Sequence, residues 1–532
     1  MPEVAVASPW RQATEVGLDV GRRGGTAVDA AIATAAMLTV GYPASCGIGG
    51  DLLALVREPD GRVTFVNASG RAPFATDADA VRQSHAKMPW VGPHSITVPG
   101  VVDGWSALMS HGAALPWADL LAPAQAAAAD GVPVAPFVAN KIADTVPQLG
   151  HFLDLAAFLA PHGTPLTVGE TLRNPALTQS LAALIDQGPE ALYQGEIGAS
   201  LCAGLAERGV PITVDDLQAF TVDEAEPLVT EVAGWRLHGG RPNSQAYLVL
   251  RLLGMLDRLD ETIATTADAP LHRRLSASQL AYAFASASQE RDEILSDPET
   301  MTVDVESLLL AESLRNFATH VTTPLDGRDA SAFASPATGD TIAVVAADSD
   351  GRSVSLIQSL FDEFGSLVFE PTTGIVMHNR GACFVLDPAS PNVLAPGKRP
   401  LHTLSPVLAE AADGSQRLAV GTMGGHAQPQ ILTQVFSRLF AGESAQAAVS
   451  APRMTVGAWE TDETPATVAT ESDLDPEMLR ELTEFPGPHV SVPPHHPRMG
   501  HAHAIRVTSG DTAATTRFDV GTDPRADGLP TS

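Results

Sequence analysis

The sequence predicts an α+β fold, because it contains both hairpin patterns and helical patterns. Residues 341–347 are apolar and largely β-branched, residues 353–359 alternate apolar and polar side chains, and Asp348-Ser349-Asp350-Gly351 supplies a turn between them. Residues 51–67 form a second such pair with its turn at Pro59-Asp60-Gly61. Ala- and Leu-rich segments with apolar residues three and four apart predict helices. These segments are residues 26–38, 116–131, 172–208 and 244–290.

The first helix is preceded by Thr26, with Asp29 three residues later, which is the pattern of an N-terminal capping box. Gly47-Ile48-Gly49-Gly50 follows the helix. A dinucleotide-binding loop would need a strand before these glycines and a helix after them. The order here is the reverse, so the glycines predict close backbone packing instead.

Further along, residues 213–239 are predicted to carry strands. One helix is expected to begin just after Gly424-Gly425 and end near Leu439. Another is expected from Asp475 to Phe485, with a proline at its first helical position. The residues from Asp523 onward are rich in Pro, Gly, Asp and Thr, so we expect a frayed terminus.

The composition suits an enzyme with a sizeable core, at 532 residues and 44% hydrophobic content. The formal net charge of -30 excludes nucleic acid as a favoured partner, because the electrostatic interaction would be repulsive. Three cysteines in no framework spacing suggest a reducing compartment. The N-terminus lacks a signal-peptide pattern, and the most apolar stretch, residues 30–42, is too short to span a bilayer. We therefore expect a cytoplasmic protein without a membrane partner.

A polar, Ala-rich segment, residues 322–340, leads directly into the apolar strand that begins with Thr341, and we expect it to be a mobile loop. Most Asp-Thr pairs at strand starts are structural. If the bond after Asp340 were cut, however, Thr341 would carry a hydroxyl and a free α-amine. The reference pKa of that amine is about 7.7 to 8.0, so it can take the proton of its own hydroxyl near neutral pH. Thr341 is therefore a candidate nucleophile.

Several motifs in order resemble the γ-glutamyltransferase family. From the N-terminus they are GGTAVDAAIATA, YPASCGIGGD, ITVPGVVDGW, PWADLLAPAQAAAADG, TIAVVAADSDGRSVSLIQSLFDEFGS, GIVMHNRG, APGKRPLHTLSP and GTMGGHAQPQ. Members of this family are N-terminal-nucleophile hydrolases that cut their own chain before a catalytic Thr. The resemblance implies a four-layer αββα sandwich formed from two interleaved subunits, residues 1–340 and residues 341–532. It also implies cleavage between Asp340 and Thr341.

The resemblance assigns roles to matching positions. Thr341 is the nucleophile, and Ser359 stands where the family has a Thr that orients it. Gly424 and Gly425 match the Gly-Gly pair of the oxyanion hole. Small residues there let backbone N–H groups approach an oxyanion, and the helix that follows adds the positive end of its dipole. His402 and Thr403 match a serine pair that contacts substrate, although His402 is equally well explained as a buried structural histidine.

The substrate-binding positions depart from the γ-glutamyl pattern. Where the family has an Arg-Glu pair that binds an α-carboxylate, this chain has Ser69 and Gly70, with Arg71 immediately after them. Cys383 replaces an Asp that binds the substrate amine, and Phe361 replaces an Asn. Arg380 replaces a Gln. Compared with the γ-glutamyl pattern, the substrate-binding positions of this chain have lost an acidic residue and gained a basic one. Arg71 and Arg380 are therefore expected to bind a carboxylate near the attacked carbonyl.

These motifs are most similar to the acylase and amidohydrolase branch, which includes oxamate amidohydrolases and cephalosporin acylases. The expected function is hydrolysis of an amide, or of a related acyl C–C bond, in a small acidic substrate such as oxamate or an oxalyl compound. Two alternatives stay open: a glutathione hydrolase or γ-glutamyltransferase, and an uncut relative that only binds. No cofactor is expected. His501-Ala502-His503 has no third ligand in the sequence pattern, so we expect no metal.

Overall fold

The predicted hairpin occupies the middle of a six-stranded antiparallel sheet, the first sheet. In the computed structural model of the chain its two strands run over Asp340–Asp348 (the Thr341 strand) and Ser353–Phe361 (the Ser359 strand). The structure describes residues 2–259, 270–322, 339–459, 463–510 and 515–528. Residues 323–338, most of the predicted loop, lie outside these ranges. In spatial order the strands of the first sheet are Val4–Ala7, Asp340–Asp348, Ser353–Phe361, Asp51–Arg57, Val63–Ala68 and Asp223–Ala225.

A second six-stranded sheet packs against the first. Its strands, in spatial order, are Arg517–Thr522, Ala502–Thr508, Gln416–Thr422, Val407–Ala411, Trp235–Gly239 and Leu228–Val232. Both sheets therefore take strands from either side of the bond between Asp340 and Thr341, so that bond is not a boundary between separate folding units. Smaller sheets pair Phe369–Glu370 with Ile375–Val376, Val132–Pro133 with Thr171–Leu172, and Val468–Glu471 with Met454–Val456 and His489–Val492.

Alternation along the Thr341 strand separates the layers of the core. Ile342, Val344 and Ala346 pack into the core shared with the N-terminal helices, whereas Ala343 and Val345 pack between the two sheets. A strand buried on both faces must be apolar throughout, as its sequence is. A third core lies on the far face of the second sheet. The order is therefore helices, sheet, sheet, helices, and the predicted αββα sandwich is confirmed.

The helices fall into two groups by the core to which they contribute. The first layer has Arg11–Arg22, Ala27–Gly41, Val101–Met109, Trp117–Asp130, Pro136–Thr145, Leu153–Leu159, Pro175–Gln187, Glu190–Tyr193, Glu196–Glu207 and Val214–Gln218. The second layer has Tyr247–Asp257, Ala277–Ile294, Val305–Leu308, Ala311–Thr322, Gln428–Phe440, Ala445–Ser450 and Pro476–Glu481. A short helix, Ala78–Ser84, lies beside a satellite cluster. None of the described helices is both long and apolar enough to cross a membrane.

The Thr26 capping box is confirmed, since the Thr26 hydroxyl accepts from the backbone of Asp29 and the Asp29 carboxylate accepts from the backbone of Thr26. The long helical segments are divided more finely than predicted. Residues 172–208 hold three helices because Gly188, with φ of +78°, and Pro189 end the first. Residues 244–290 hold one whole helix, Tyr247–Asp257, and most of a second, Ala277–Ile294, with residues 260–269 outside the described ranges.

The expectation of a frayed terminus from Asp523 is wrong for residues 523–528. Asp523 is 1% exposed, and its carboxylate lies 2.7 Å from Arg453 Nη2 and 2.9 Å from Arg525 Nη1. The Tyr42 hydroxyl donates to Asp527 at 2.8 Å. Arg453 and Tyr42 are remote in sequence from this segment, so a composition typical of a mobile tail gave no sign of these contacts.

Candidate active site

Thr341 and Ser359 face each other because the Ser359 strand contains a bulge. The register pairs Gln358 with Ile342 and Phe361 with Asp340, so that Ser359 and Leu360 together oppose Thr341. Both hydroxyl groups are buried, and Thr341 Oγ1 lies 2.9 Å from Ser359 Oγ. The structure thus brings the predicted nucleophile and its predicted orienting residue into hydrogen-bond contact.

The hydrogen bonds around Ser359 have a defined direction. Ser359 Oγ lies 2.8 Å from the carbonyl oxygen of Asp340 and accepts from the Phe361 N–H at 2.7 Å. A carbonyl oxygen can only accept, so the Ser359 proton points to Asp340, and the Thr341 hydroxyl then donates to Ser359. This chain of hydrogen bonds connects the Thr341 hydroxyl to the carbonyl oxygen of the residue before it.

Gly424 and Gly425 lie against the segment that precedes Thr341. Gly339 approaches so closely that a Cβ atom there would meet the Gly425 Cα at 2.9 Å. Gly424 has φ of +133° and Gly425 φ of +52°, a backbone conformation that favours glycine. The carbonyl oxygen of Gly425 accepts from Gln245 Nε2 at 3.0 Å, which fixes the orientation of this loop. Gly425 begins a 3-10 turn, Gly425–Ala427, that precedes the helix Gln428–Phe440, so the helix begins slightly later than predicted.

A fully buried carboxylate, Asp51, lies at the start of the strand next to the Ser359 strand, paired with Ser359 in register. Its Oδ2 lies 3.1 Å from His378 Nδ1, 3.0 Å from His402 Nε2 and 3.2 Å from Arg380 Nε. Burial alone would raise the pKa of Asp51, but the His378 and His402 imidazoles hold it well below its ordinary value. Burial, followed by the nearby Arg380 charge, lowers the pKa of His402 to about 4, so His402 is neutral at neutral pH.

Arg380 is completely buried and keeps one donor open. Its Nε faces Asp51, its Nη1 donates to Thr403 Oγ1 at 2.9 Å, and its guanidinium lies 4.3 Å from the centre of the Phe361 ring. Nη2 has no hydrogen-bond partner within the described part of the chain. A buried charged N–H without an acceptor is costly, so this nitrogen indicates a place for an anionic ligand.

The structure groups most of the predicted site residues and separates one of them. Arg380, His402 and Thr403 lie together around Asp51. Arg71 instead directs Nη1 to Asp297 at 2.9 Å and Nη2 to Glu299 at 3.0 Å. Its guanidinium therefore does not join the Arg380 group.

The side chain of Asp340 also has a partner that the sequence did not suggest. Its carboxylate is buried, and Lys141 Nζ lies 3.4 Å from Oδ2. Burial raises the pKa of Asp340, and Asp362 raises it further, while Lys141 acts in the opposite direction. Lys141 is also paired with Glu363. Lys141 lies 199 positions before Asp340, on a helix that shows no unusual pattern.

Beside Arg380 lies a cavity of about 550 Å³, which we name the apolar cavity. Its wall includes Phe361 and Cys383, which both contact the Arg380 guanidinium, and His426, which directly follows Gly425. The remaining wall residues are mainly hydrophobic, and among them are Met88, Trp90, Ala382, Phe384, Val385, Leu386 and Leu401.

His501 and His503 are both buried, and burial lowers the pKa of His501 to about 3 and that of His503 to about 4. The described residues contain no group of three His, Cys, Asp or Glu side chains placed to hold a metal ion.

Sequence reasoning missed Asp51, although a charged residue at the start of a buried apolar strand was a visible anomaly.

Comparisons with known proteins agree with this geometry. The model of the family described as gamma-glutamyltranspeptidase matches residues 13–531. The chain is 35% identical to the oxamate amidohydrolase proenzyme of Klebsiella pneumoniae subsp. pneumoniae, over 99% of this chain and 97% of that protein. It is 31% identical to the glutathione hydrolase-like YwrD proenzyme of Bacillus subtilis, over 98% and 97%. Among solved structures, cephalosporin acylase from Bacillus halodurans superposes with a TM-score of 0.86 at 30% identity, covering 99% of this chain and 95% of that one.

The motifs, the sandwich and the buried Thr341–Ser359 pair therefore have a common explanation. The chain belongs to the gamma-glutamyltranspeptidase family and is an enzyme of the N-terminal-nucleophile hydrolase type.

Proposed function

We propose that the chain cuts itself between Asp340 and Thr341, and that mature Thr341 hydrolyses a small substrate whose attacked carbonyl carries a carboxylate, such as oxamate or an oxalyl compound. The observation that carries this proposal is the open Nη2 of Arg380, a fully buried guanidinium that contacts Asp51, the register partner of Ser359. The mature enzyme would be a heterodimer of residues 1–340 and 341–532.

The hydrogen bonds of the uncut chain support self-cleavage. Thr341 Oγ1 attacks the carbonyl carbon of Asp340, and its proton passes through Ser359 to the carbonyl oxygen. When the intermediate collapses, the C–N bond breaks, the Thr341 nitrogen takes a proton, and Asp340 becomes an ester on Thr341. Water hydrolyses this ester, which releases the Asp340 carboxylate and leaves Thr341 with a free hydroxyl and a free amine.

The mature site uses the same hydroxyl on a second carbonyl. The α-amine of Thr341 removes the hydroxyl proton, and the oxygen attacks the acyl carbon of the substrate. Backbone N–H groups of Gly424 and Gly425 stabilise the oxyanion, since this loop already lies against the residues before Thr341. The amine or carbon leaving group takes the proton and departs, and water then releases the acid from the acyl-enzyme.

Recognition depends on charge. Arg380 offers a planar guanidinium, which suits a carboxylate attached directly to the attacked carbonyl. Among the described residues, the carboxylate that contacts Arg380 is that of Asp51. It already accepts hydrogen bonds from His378, His402, Arg380 and Gly70, which leaves it little capacity for a substrate ammonium. Burial raises the pKa of the Cys383 thiol, which stands where the family has an acid, so this group is neutral. The name of the similar oxamate amidohydrolase gives a substrate of this class.

A panel of three substrates tests the proposal: oxamate, a γ-glutamyl anilide and a glutaryl amide, scored by release of oxalate, glutamate and glutarate. We expect kcat/KM for oxamate to exceed that for the γ-glutamyl anilide by at least about 10²-fold, because the missing ammonium site leaves a buried charge unpaired. Equal rates on both would favour the glutathione hydrolase alternative. A cleaved enzyme that releases no oxalate would contradict the proposal.

Ser359→Ala is expected to slow self-cleavage by roughly 10²-fold, the usual cost of removing one donor to a developing oxyanion. The reason is that Ser359 donates to the carbonyl oxygen of the bond to be cut. The conversion of the full-length band into two smaller bands on a denaturing gel, followed with time, measures the rate.

Ser355→Ala is the matched control, because Ser355 lies on the same strand but donates to the Val420 carbonyl. Its precursor is expected to be cut at the normal rate. Ser359→Thr restores a hydroxyl and should recover most of the rate. A Ser359→Ala precursor that is cut as fast as the Ser355→Ala precursor would show that this hydroxyl plays no part in cleavage.

A further inference from the structure

The apolar cavity begins at the residues that hold the Arg380 guanidinium. The Phe361 ring packs under that group at 4.3 Å, Cys383 Sγ lies 3.7 Å from Nη1, and His426 follows the oxyanion-hole glycines. Trp90 continues the wall, with its ring 5.2 Å from that of Phe361. The cavity therefore adjoins the place where the attacked carbonyl and its carboxylate would sit under the proposed function.

The apolar cavity is much larger than an oxamate molecule. About 550 Å³ falls within the range of pockets that hold drug-sized ligands. Oxamate has only a handful of non-hydrogen atoms, and its carboxylate and carbonyl would be taken up by Arg380 and the Gly424-Gly425 loop. Most of the cavity would then face no substrate atoms.

The chemistry of the wall describes what would fill it. Aromatic and aliphatic side chains dominate, including Phe384 and Leu401. Burial, together with the charges of Arg291 and Arg380, holds the pKa of His426 well below its ordinary value, so that imidazole is neutral. The Asp292 carboxylate is paired with Arg291, and the other charged wall residues, Lys87 and Asp387, are exposed at the rim. The wall thus favours an uncharged apolar group over a charged one.

We infer that the natural substrate carries a large apolar group on the leaving side of the scissile bond, as in an N-alkyl or N-aryl oxamate or the corresponding C-oxalyl compound. This inference rests on the proposed function, because an oxalyl group has no further atoms on its acid side. The apolar group must therefore be attached to the leaving nitrogen or carbon. Binding energy from such a remote group can be used to orient the carbonyl for attack by Thr341.

A homologous series of N-methyl, N-butyl, N-hexyl and N-benzyl oxamate tests the inference, with kcat/KM measured by oxalate release. Each methylene buried in an apolar pocket is worth about fourfold. We expect kcat/KM to rise by at least about 10²-fold from N-methyl to N-hexyl oxamate. N-methyl oxamate serves as the reference because its leaving group is also an alkylamine.

Two substitutions narrow the cavity at different places: Ala382→Leu near Cys383, and Val385→Trp at the outer wall, where Val385 is 37% exposed. Each is expected to reduce the ratio of kcat/KM for N-hexyl over N-methyl oxamate by about tenfold or more. Ala206→Leu, at an exposed helix position away from the cavity, is the matched control and should leave both rates unchanged.

The outcomes separate the two claims. If N-methyl oxamate is hydrolysed but N-hexyl and N-benzyl oxamate are no faster, the inference is wrong and the proposed function stands. If a correctly cleaved enzyme hydrolyses no member of the series, and oxamate releases no oxalate, then the proposed function fails and the inference fails with it. A chain-length dependence that is the same in Ala382→Leu, Val385→Trp and Ala206→Leu would place the apolar group outside this cavity.

Discussion

Thr341→Ala is expected to yield a single uncut chain with no hydrolase activity. The substitution removes the hydroxyl that attacks the Asp340 carbonyl in the proposed mechanism, so cleavage stops. Without cleavage the residue also lacks the free α-amine that would serve as the base. Loss of both functions corresponds to a fall in kcat of about 10⁶-fold, the order found when a catalytic nucleophile is removed.

The measurement is a denaturing gel combined with N-terminal sequencing of the smaller fragment, which should begin TIAVV in the wild-type protein. Thr341→Ser keeps the hydroxyl and the bond to be cut, and it should retain measurable cleavage and activity. If Thr341→Ala protein is still divided, or if an active wild-type preparation contains no fragment that begins at Thr341, the nucleophile has been assigned wrongly. A stable, active single chain would favour mechanisms that do not need a new N-terminus.

The sequence predicts this part of the fold well because its signals are local. Alternation and a four-residue turn place the hairpin within two residues of its observed bounds, 340–348 and 353–361. The bulge in the Ser359 strand could not be predicted in this way. No residue pattern from 358 to 361 indicates that two residues oppose Thr341. Bulges arise from the packing of the whole sheet, so only the family resemblance could predict the contact between Thr341 and Ser359.

The partners of charged side chains were the features that the sequence predicted least well. From the sequence, Arg71 and Arg380 were both predicted to bind a substrate carboxylate. In the structure Arg71 is paired with Asp297 and Glu299, whereas Nη2 of Arg380 has no partner among the described residues. Asp523 looks like part of a mobile tail until Arg453 is found 70 residues away. An ion pair between distant positions depends on the fold and leaves no periodic signal along the chain.

Arg380→Met is expected to lower kcat/KM for oxamate by about 10²- to 10³-fold while leaving self-cleavage intact. Methionine fills much of the same volume but removes the charge and the donors that would bind the substrate carboxylate, a loss of roughly 3 to 4 kcal/mol for a buried charged contact. Cleavage should persist because Arg380 makes no hydrogen bond to Asp340, Thr341 or Ser359 among the described contacts. The effect should appear mainly as a raised KM for acidic substrates, because the carboxylate is bound in both the ground state and the transition state.

Arg71→Met provides the matched control, since the same side chain is removed from a guanidinium that is already paired with Asp297 and Glu299. Its KM for oxamate is expected to stay within about twofold of the wild-type value, because both terminal nitrogens of Arg71 are directed to Asp297 and Glu299 and away from the Arg380 group. Arg380→Lys keeps a charge but not the planar fork, so it should fall between the wild type and Arg380→Met. If Arg71→Met raises KM as much as Arg380→Met, both arginines contribute to substrate binding. If neither variant raises it, the carboxylate is bound elsewhere, and the chemistry proposed for this site loses its support.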